Sequence, residues 1–192
     1  MRTTSLLSAA AFGLLIGSPA AAEPYVLDKS HAVISFSVNH LGFSDVKGVF
    51  REFDAEIDFD PEAVEESSVR FVIDAASVDT FWPERDDHIR GEDFLHVSEH
   101  PEIVFESTSI EPTGDETAEI TGEMTIRGVT KEVTFDASLN KMGPSPFDSS
   151  KTIAGFTVTG EIDRTEFGVD YAAPAVGVII PVTVQLEMSP AS

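Results

Sequence analysis

Apolar residues recur with a period of two along most of this chain, and that alternation constrains its fold more than any other feature. Successive side chains of a β-strand point to opposite faces, so a run with one apolar side reads as a half-buried strand. In residues 31–40, Ala32, Ile34, Phe36 and Val38 alternate with Val33, Ser35, Ser37 and Asn39. Residues 49–60 repeat the pattern, with Val49, Phe53, Ala55, Ile57 and Phe59 opposite Glu52, Asp54, Glu56 and Asp58. Four carboxylates on one side mean that this side meets water. Further strands are expected over 68–74, 102–110, 118–126, 132–139, 152–162 and 177–188, which makes about eight in all.

Turn residues separate these runs. Asp60-Pro61, Pro112-Thr113-Gly114-Asp115 and Arg127-Gly128 are turn pairs or clusters, and residues 141–150, with one glycine, two prolines and several serines, read as a loop. Short strands and short turns without intervening helical repeats exclude a parallel α/β sheet and predict an antiparallel sandwich or barrel. Residues 80–100 break the alternation, hold the single tryptophan, and are expected to form one or two helical turns after Pro83. A connection of that length reads as an excursion over one end of the sheet, of the kind that serves as a lid or binding loop.

The residues predicted to face inward are almost wholly apolar: Ile34, Phe36, Val38, Phe53, Ile57, Phe71, Phe135, Phe156, Val158, Val182 and Val184. An eight-stranded barrel is wide enough to hold one small ligand if its interior is not filled. Alternation alone leaves two readings open, a filled core and a cavity offering hydrophobic enclosure.

Residues 1–22 carry one charge, Arg2, then an apolar or small stretch from Leu6 to Ile16 and a small-residue end at Ala20-Ala21-Ala22. This predicts a secretory leader cleaved before Glu23, because the apolar run is too short to span a bilayer comfortably. Residues 23–192 are then expected to form one exported domain, without stable membrane insertion. With 34 acidic against 12 basic residues the formal charge is −22, which excludes nucleic acid as a partner and disfavours anionic membrane surfaces. The absence of cysteine excludes disulfides, thiolate metal sites and a cysteine nucleophile.

Chemistry-bearing residues concentrate in the excursion. Arg85-Asp86-Asp87-His88-Ile89-Arg90 is followed by Glu92, Asp93, His96 and His100. His96 and His100 stand four apart, a metal-ligand spacing on a helix, but Val97-Ser98-Glu99 favours helix poorly and Pro101 ends it. The reading taken is surface histidines near a turn, with no metal site and no cofactor. His88 beside an aspartate lacks a nucleophile turn of the G-x-S-x-G kind, so no catalytic residue is assigned. The alternatives for the Arg85–Asp93 cluster are a hydrolase or isomerase site and an ion-pair and capping network that pins the excursion down.

The order of short motifs resembles the YceI-like family of exported polyisoprenoid-binding proteins. It runs from Asp28-Lys29-Ser30-His31 and Ile34-x-Phe36-x-Val38 through Asn39-His40-Leu41-Gly42-Phe43-Ser44, Val46-Lys47-Gly48-x-Phe50 and Phe59-Asp60-Pro61. Ile73 to Thr80, Arg85 to Arg90 and Asp93-Phe94 follow. The second half adds Pro101-x-Ile103-x-Phe105-x-Ser107-Thr108, Met124 to Lys131 and Arg164-x-x-Phe167-Gly168. The resemblance implies a lipocalin-like antiparallel barrel of eight strands, often a homodimer, in the periplasm. It implies a carrier without enzymatic activity that encloses an isoprenoid, quinone-like or acyl lipid, whose polar head sits near His31, Arg85, His88 or Arg90. The competing readings are an enzyme built on the Arg85–Asp93 cluster and a filled-core stress or structural protein.

Overall fold

The computed structural model describes residues 22–191; the expected leader lies outside the described residues except for Ala22. The strands are β1 (Glu23–Leu27), β2 (Val33–His40), β3 (Ser44–Phe50), β4 (Phe53–Phe59), β5 (Ser68–Asp74), β6 (Val78–Asp79), β7 (Glu102–Gly114), β8 (Thr117–Ile126), β9 (Val129–Pro144), β10 (Thr152–Asp163) and β11 (Ile179–Pro190). Among the described residues there is one α-helix, α1, spanning Pro83–Arg90. The strands form one antiparallel sheet, and it closes because β1 pairs with β4 on one side and with β11 on the other. The closed ring is β1, β4, β5, β7, β8, β9, β10 and β11, an eight-stranded barrel with no free edge.

The eight barrel strands are not quite the eight expected from alternation. β11 is long enough to take two partners along one edge, β1 at Met188–Pro190 and β2 at Val182–Gln185. Between them Lys29–His31 forms a 3-10 turn, started by the Ser30 amide donating to Asp28 Oδ1 at 2.9 Å. β2 therefore leaves the ring and, with β3 and β6, forms a flap at one end of the barrel. β1 escapes the alternation reading because Pro24 interrupts it and only Tyr25 is buried.

The run 49–60 is corrected in one respect. It is two strands joined by a corner at Arg51-Glu52, held by the Arg51 amide on the Ser77 carbonyl (3.2 Å) and the Arg51–Asp79 ion pair (2.5 Å). The corner shifts the phase, so Phe50 faces the interior and Val49 does not. Within β4 the expected faces hold: Phe53, Ile57 and Phe59 are buried, and Asp54, Glu56 and Asp58 are exposed.

Apolar packing closes one end. Tyr25, Ile57, Phe59, Ala154, Leu186 and Met188 form a buried cluster there, with Phe59 packed edge-on against both Tyr25 and Phe156 at 5.3 and 5.5 Å. The other end is covered by α1 and the turns after it, the tip of the β2–β3 hairpin, and the segment between β10 and β11. The hairpin between β8 and β9 turns at Arg127 and Gly128, both in the left-handed region at φ +50° and +74°, which matches the twist of the strands. Among the described residues no helix is long and apolar enough to cross a membrane.

Candidate functional site

The barrel interior is not filled. Two cavities, of about 160 and 380 Å³, lie in series along it. The smaller occupies the closed half, among Phe71, Phe105, Phe135, Phe156, Val158 and Val184. The larger lies beneath the lid, among Phe36, Val38, Val46, Phe50, Ile126 and Ile180. Ile34, Ile73, Met124 and Val182 belong to both walls and form the waist between them. The larger chamber falls within the roughly 300–1,000 Å³ typical of small-molecule sites.

Two glycines help to shape this space. Gly48 stands opposite Phe36, and a Cβ there would come within 2.3 Å of the Phe36 ring. Gly160 does the same for Phe135, at 2.4 Å. Each ring lies over a glycine of the neighbouring strand, where a side chain would otherwise stand, while still lining its chamber.

The lid end supplies basic and aromatic polar side chains, whereas the polar residues lining the smaller chamber are Asp58, Ser67 and Ser68. His40, Arg85, His88 and Tyr171 are exposed side chains that also line the larger chamber, so its wall reaches the surface there. Arg85 donates to Thr80, from Nε to Oγ1 at 2.7 Å and from a terminal nitrogen to the carbonyl at 2.6 Å. The buried Asp86 carboxylate accepts from the Thr80 amide (2.8 Å) and hydroxyl (2.5 Å), which ties α1 to the end of β6. His88 shares a hydrogen bond with Asp93 at 3.0 Å and packs edge-on against Phe94 and Tyr171 at 5.0 and 5.2 Å. These rings clasp the lid to the β10–β11 segment.

Of the residues expected to meet a ligand, Ile34, Phe36, Val38, Phe71, Phe135, Phe156, Val158, Val182, Arg85 and His88 line the two chambers. Phe53 is buried behind them, packed with Ile34, Ile73 and Ile103. Arg90 turns toward β6, donating to the carbonyls of Ala76 (2.7 Å) and Val78 (2.8 Å) and pairing with Asp87. The polar groups of the Arg85–Asp93 cluster thus bond mainly to one another and to the backbone, as a capping network does.

His31 stands on the 3-10 turn, where its Nδ1 meets Asp28 Oδ2 at 2.8 Å. The Asp28 hydrogen bond raises the imidazole pKa, with the charges of Asp28 and Glu187 adding to it. Hydrogen bonds from the Ser30 hydroxyl, His31 and the Ser30 amide hold the Asp28 carboxyl down at about 2. A raised histidine contributes stability below its ordinary 6.5 and loses it as pH rises through the folded value. A lowered carboxyl contributes above 3.8 and loses it as pH falls toward 2. The melting-temperature advantage of the native protein over His31→Ala is therefore expected to be greatest at about pH 5 and to shrink at both about pH 9 and about pH 2. An advantage independent of pH would show that the pair does not form.

Sequence reasoning missed Arg164 as part of the chamber wall. It is buried, lines the larger chamber, and donates to three carbonyls of the segment that follows: Gly177 at 2.9 Å, Val169 at 2.5 Å and Val176 at 2.9 Å. Burial pushes its pKa down, and Asp170 and Asp163 oppose that. A guanidinium offers five N–H groups in a fixed fork, so one side chain can gather a whole loop. The only signal was its place in the motif Arg164-x-x-Phe167-Gly168, which says nothing about backbone partners.

Comparison with known proteins places this geometry. Residues 25–189 match the YceI-like domain model. A UPF0312 protein of Ectopseudomonas mendocina (strain ymp) is 43 % identical over 157 residues, 81 % of each chain. The crystal structure of the Campylobacter jejuni YCEI protein superposes with a TM-score of 0.73 at 29 % identity, covering 80 % of this chain and 90 % of that one. A polyisoprenoid binding domain from Saccharophagus degradans, implicated in plant cell wall breakdown, shares the fold with a TM-score of 0.67 at 12 % identity, over 88 % of this chain and 99 % of that one. An eight-stranded barrel with a two-chambered apolar interior, matched along nearly its whole length, identifies this chain as a member of the YceI-like domain family.

Proposed function

We propose that this protein is an exported carrier that encloses one long apolar chain, an isoprenoid or a related quinone-like or acyl lipid, and performs no reaction on it. The observation that carries the reading is the pair of adjacent apolar chambers that share Ile34, Ile73, Met124 and Val182 as lining residues. Two chambers on one line suit an extended chain better than a compact ligand. The chain would run past Phe36, Val38 and Val182 into the space among Phe71, Phe135, Phe156 and Val158, and its head would rest near Arg85 and His88 at the lid. The fold shared with the Saccharophagus degradans polyisoprenoid binding domain agrees with this assignment.

The leader-like pattern of residues 1–22, one arginine followed by an apolar run and a small-residue end, supports export to the periplasm. A homodimer belongs to the same reading, because Leu41, Phe43, Phe81 and Trp82 are large apolar side chains exposed on a single chain. Solvent extraction of protein purified from a secreting bacterial host, followed by mass spectrometry, tests the ligand class. A prenyl or long acyl lipid in near-stoichiometric amount is expected; recovery of only polar compounds, or of nothing, would contradict the reading.

A further inference from the structure

The lid brings together three side chains that the spacing alone did not promise to join. Residues 96–100 form no helix. His96 takes the left-handed backbone conformation at φ +51°, and the amides of Glu99 and His100 both donate to its carbonyl at 3.0 Å. The tight turn that results sets the His96 and His100 rings 5.9 Å apart, nearly perpendicular. One ligand atom each from His96, Glu99 and His100 then lie within 4.8 Å of one another.

Their surroundings restrict these rings. The His96 side chain is only 18 % exposed, with Glu99 facing Nδ1 at 3.8 Å and Glu92 facing Nε2 at 4.0 Å. With Nδ1, the nitrogen on the Glu99 side, taking the metal, Glu92 stands 4.0 Å from Nε2, close enough for a small side-chain movement to make the hydrogen bond that fixes the tautomer and orients the ring. The His100 ring is pressed against the β8–β9 turn, so closely that a Cβ on Gly128 would come within 2.8 Å of it.

We propose that His96, Glu99 and His100 form a binding site for a divalent transition metal of the zinc class, held on the outer side of the lid. Two imidazoles and a carboxylate are the donor set that zinc takes when it keeps an open position. Magnesium and calcium select oxygen ligands and leave imidazoles unused, and a chain without cysteine offers no thiolate to a softer ion. The strongly acidic protein raises the local concentration of any cation. The site stands independently of the lipid reading, although Phe94 and Leu95, just before it in the chain, line the larger chamber.

Titration of the untagged protein with zinc chloride, in a large excess of magnesium to occupy surface carboxylates, tests the site calorimetrically. One zinc per chain is expected, and His96→Ala and His100→Ala should each weaken binding at least about tenfold. Zinc uptake that magnesium abolishes, or that neither substitution changes, would overturn the proposal. A second measurement needs no variant. Substoichiometric Cu²⁺ added to the native protein should broaden the amide resonances of residues 96–100 first. Broadening first around Asp28, His31 and Glu187, the other histidine–carboxylate cluster, would place the metal elsewhere and overturn it as well.

Discussion

A Val182→Phe protein is expected to fold and to lose its lipid. Val182 lies at the waist, opposite Phe36 on β2 and Gly160 on β10, and belongs to the walls of both chambers. A phenyl ring added there enlarges a side chain that lines both chambers. An extended chain threaded through the waist then has no path, so the lipid recovered per protein should fall at least about tenfold, which corresponds to about 1.4 kcal/mol or more of lost binding. In a filled core the same change would overpack the interior and cost typically ~1–3 kcal/mol of stability. The two accounts separate when extracted lipid and the urea midpoint of the delipidated protein are measured together. Undiminished lipid, or marked destabilisation of the delipidated protein, would count against a continuous tunnel.

The largest loss of stability is expected from Arg164→Leu. The guanidinium satisfies the carbonyls of Val169, Val176 and Gly177, and removing it leaves three acceptors unpaired around a buried apolar side chain. An unsatisfied buried polar group costs about 1–3 kcal/mol, and water can reach part of this segment, so a loss of roughly 3–5 kcal/mol follows. Arg164→Lys should recover little of it, because a single ammonium cannot reproduce the planar fork that serves three carbonyls. Urea denaturation measures the cost, and hydrogen exchange should show the amides of residues 169–178 opening first. Full recovery by lysine would mean that charge alone, rather than the fork, holds the segment.

What the sequence disclosed and what it concealed have separate physical causes. Strands exposed on one face announce themselves by alternation, and β4 did so with Phe53, Ile57 and Phe59 against Asp54, Glu56 and Asp58. Closure of the barrel was hidden, because it depends on β1, a five-residue strand carrying Pro24, and on β11 being long enough to hold two partners on one edge. The phase change at Arg51-Glu52 was equally hidden, since a corner leaves no mark in a pattern of apolar residues. The distinction between core and cavity was beyond reach for a related reason: a phenylalanine facing inward reads the same whether its ring fills the lumen or lies across a glycine, as Phe36 and Phe135 do. Arg85 and His88 were legible as a polar cluster at the lid, whereas Arg164 and Tyr171 owe their positions to the long segment between β10 and β11, whose path no local pattern dictates.

The central claim is that the barrel holds one extended apolar chain through both chambers. Native mass spectrometry of the protein released gently from a secreting host tests this most directly, because it weighs the intact complex. The account predicts a single adduct per protein chain, with the mass of one long prenyl or acyl lipid, that is lost in Val182→Phe. A native protein that flies without any adduct, or one carrying several small molecules in place of a single long one, would contradict it.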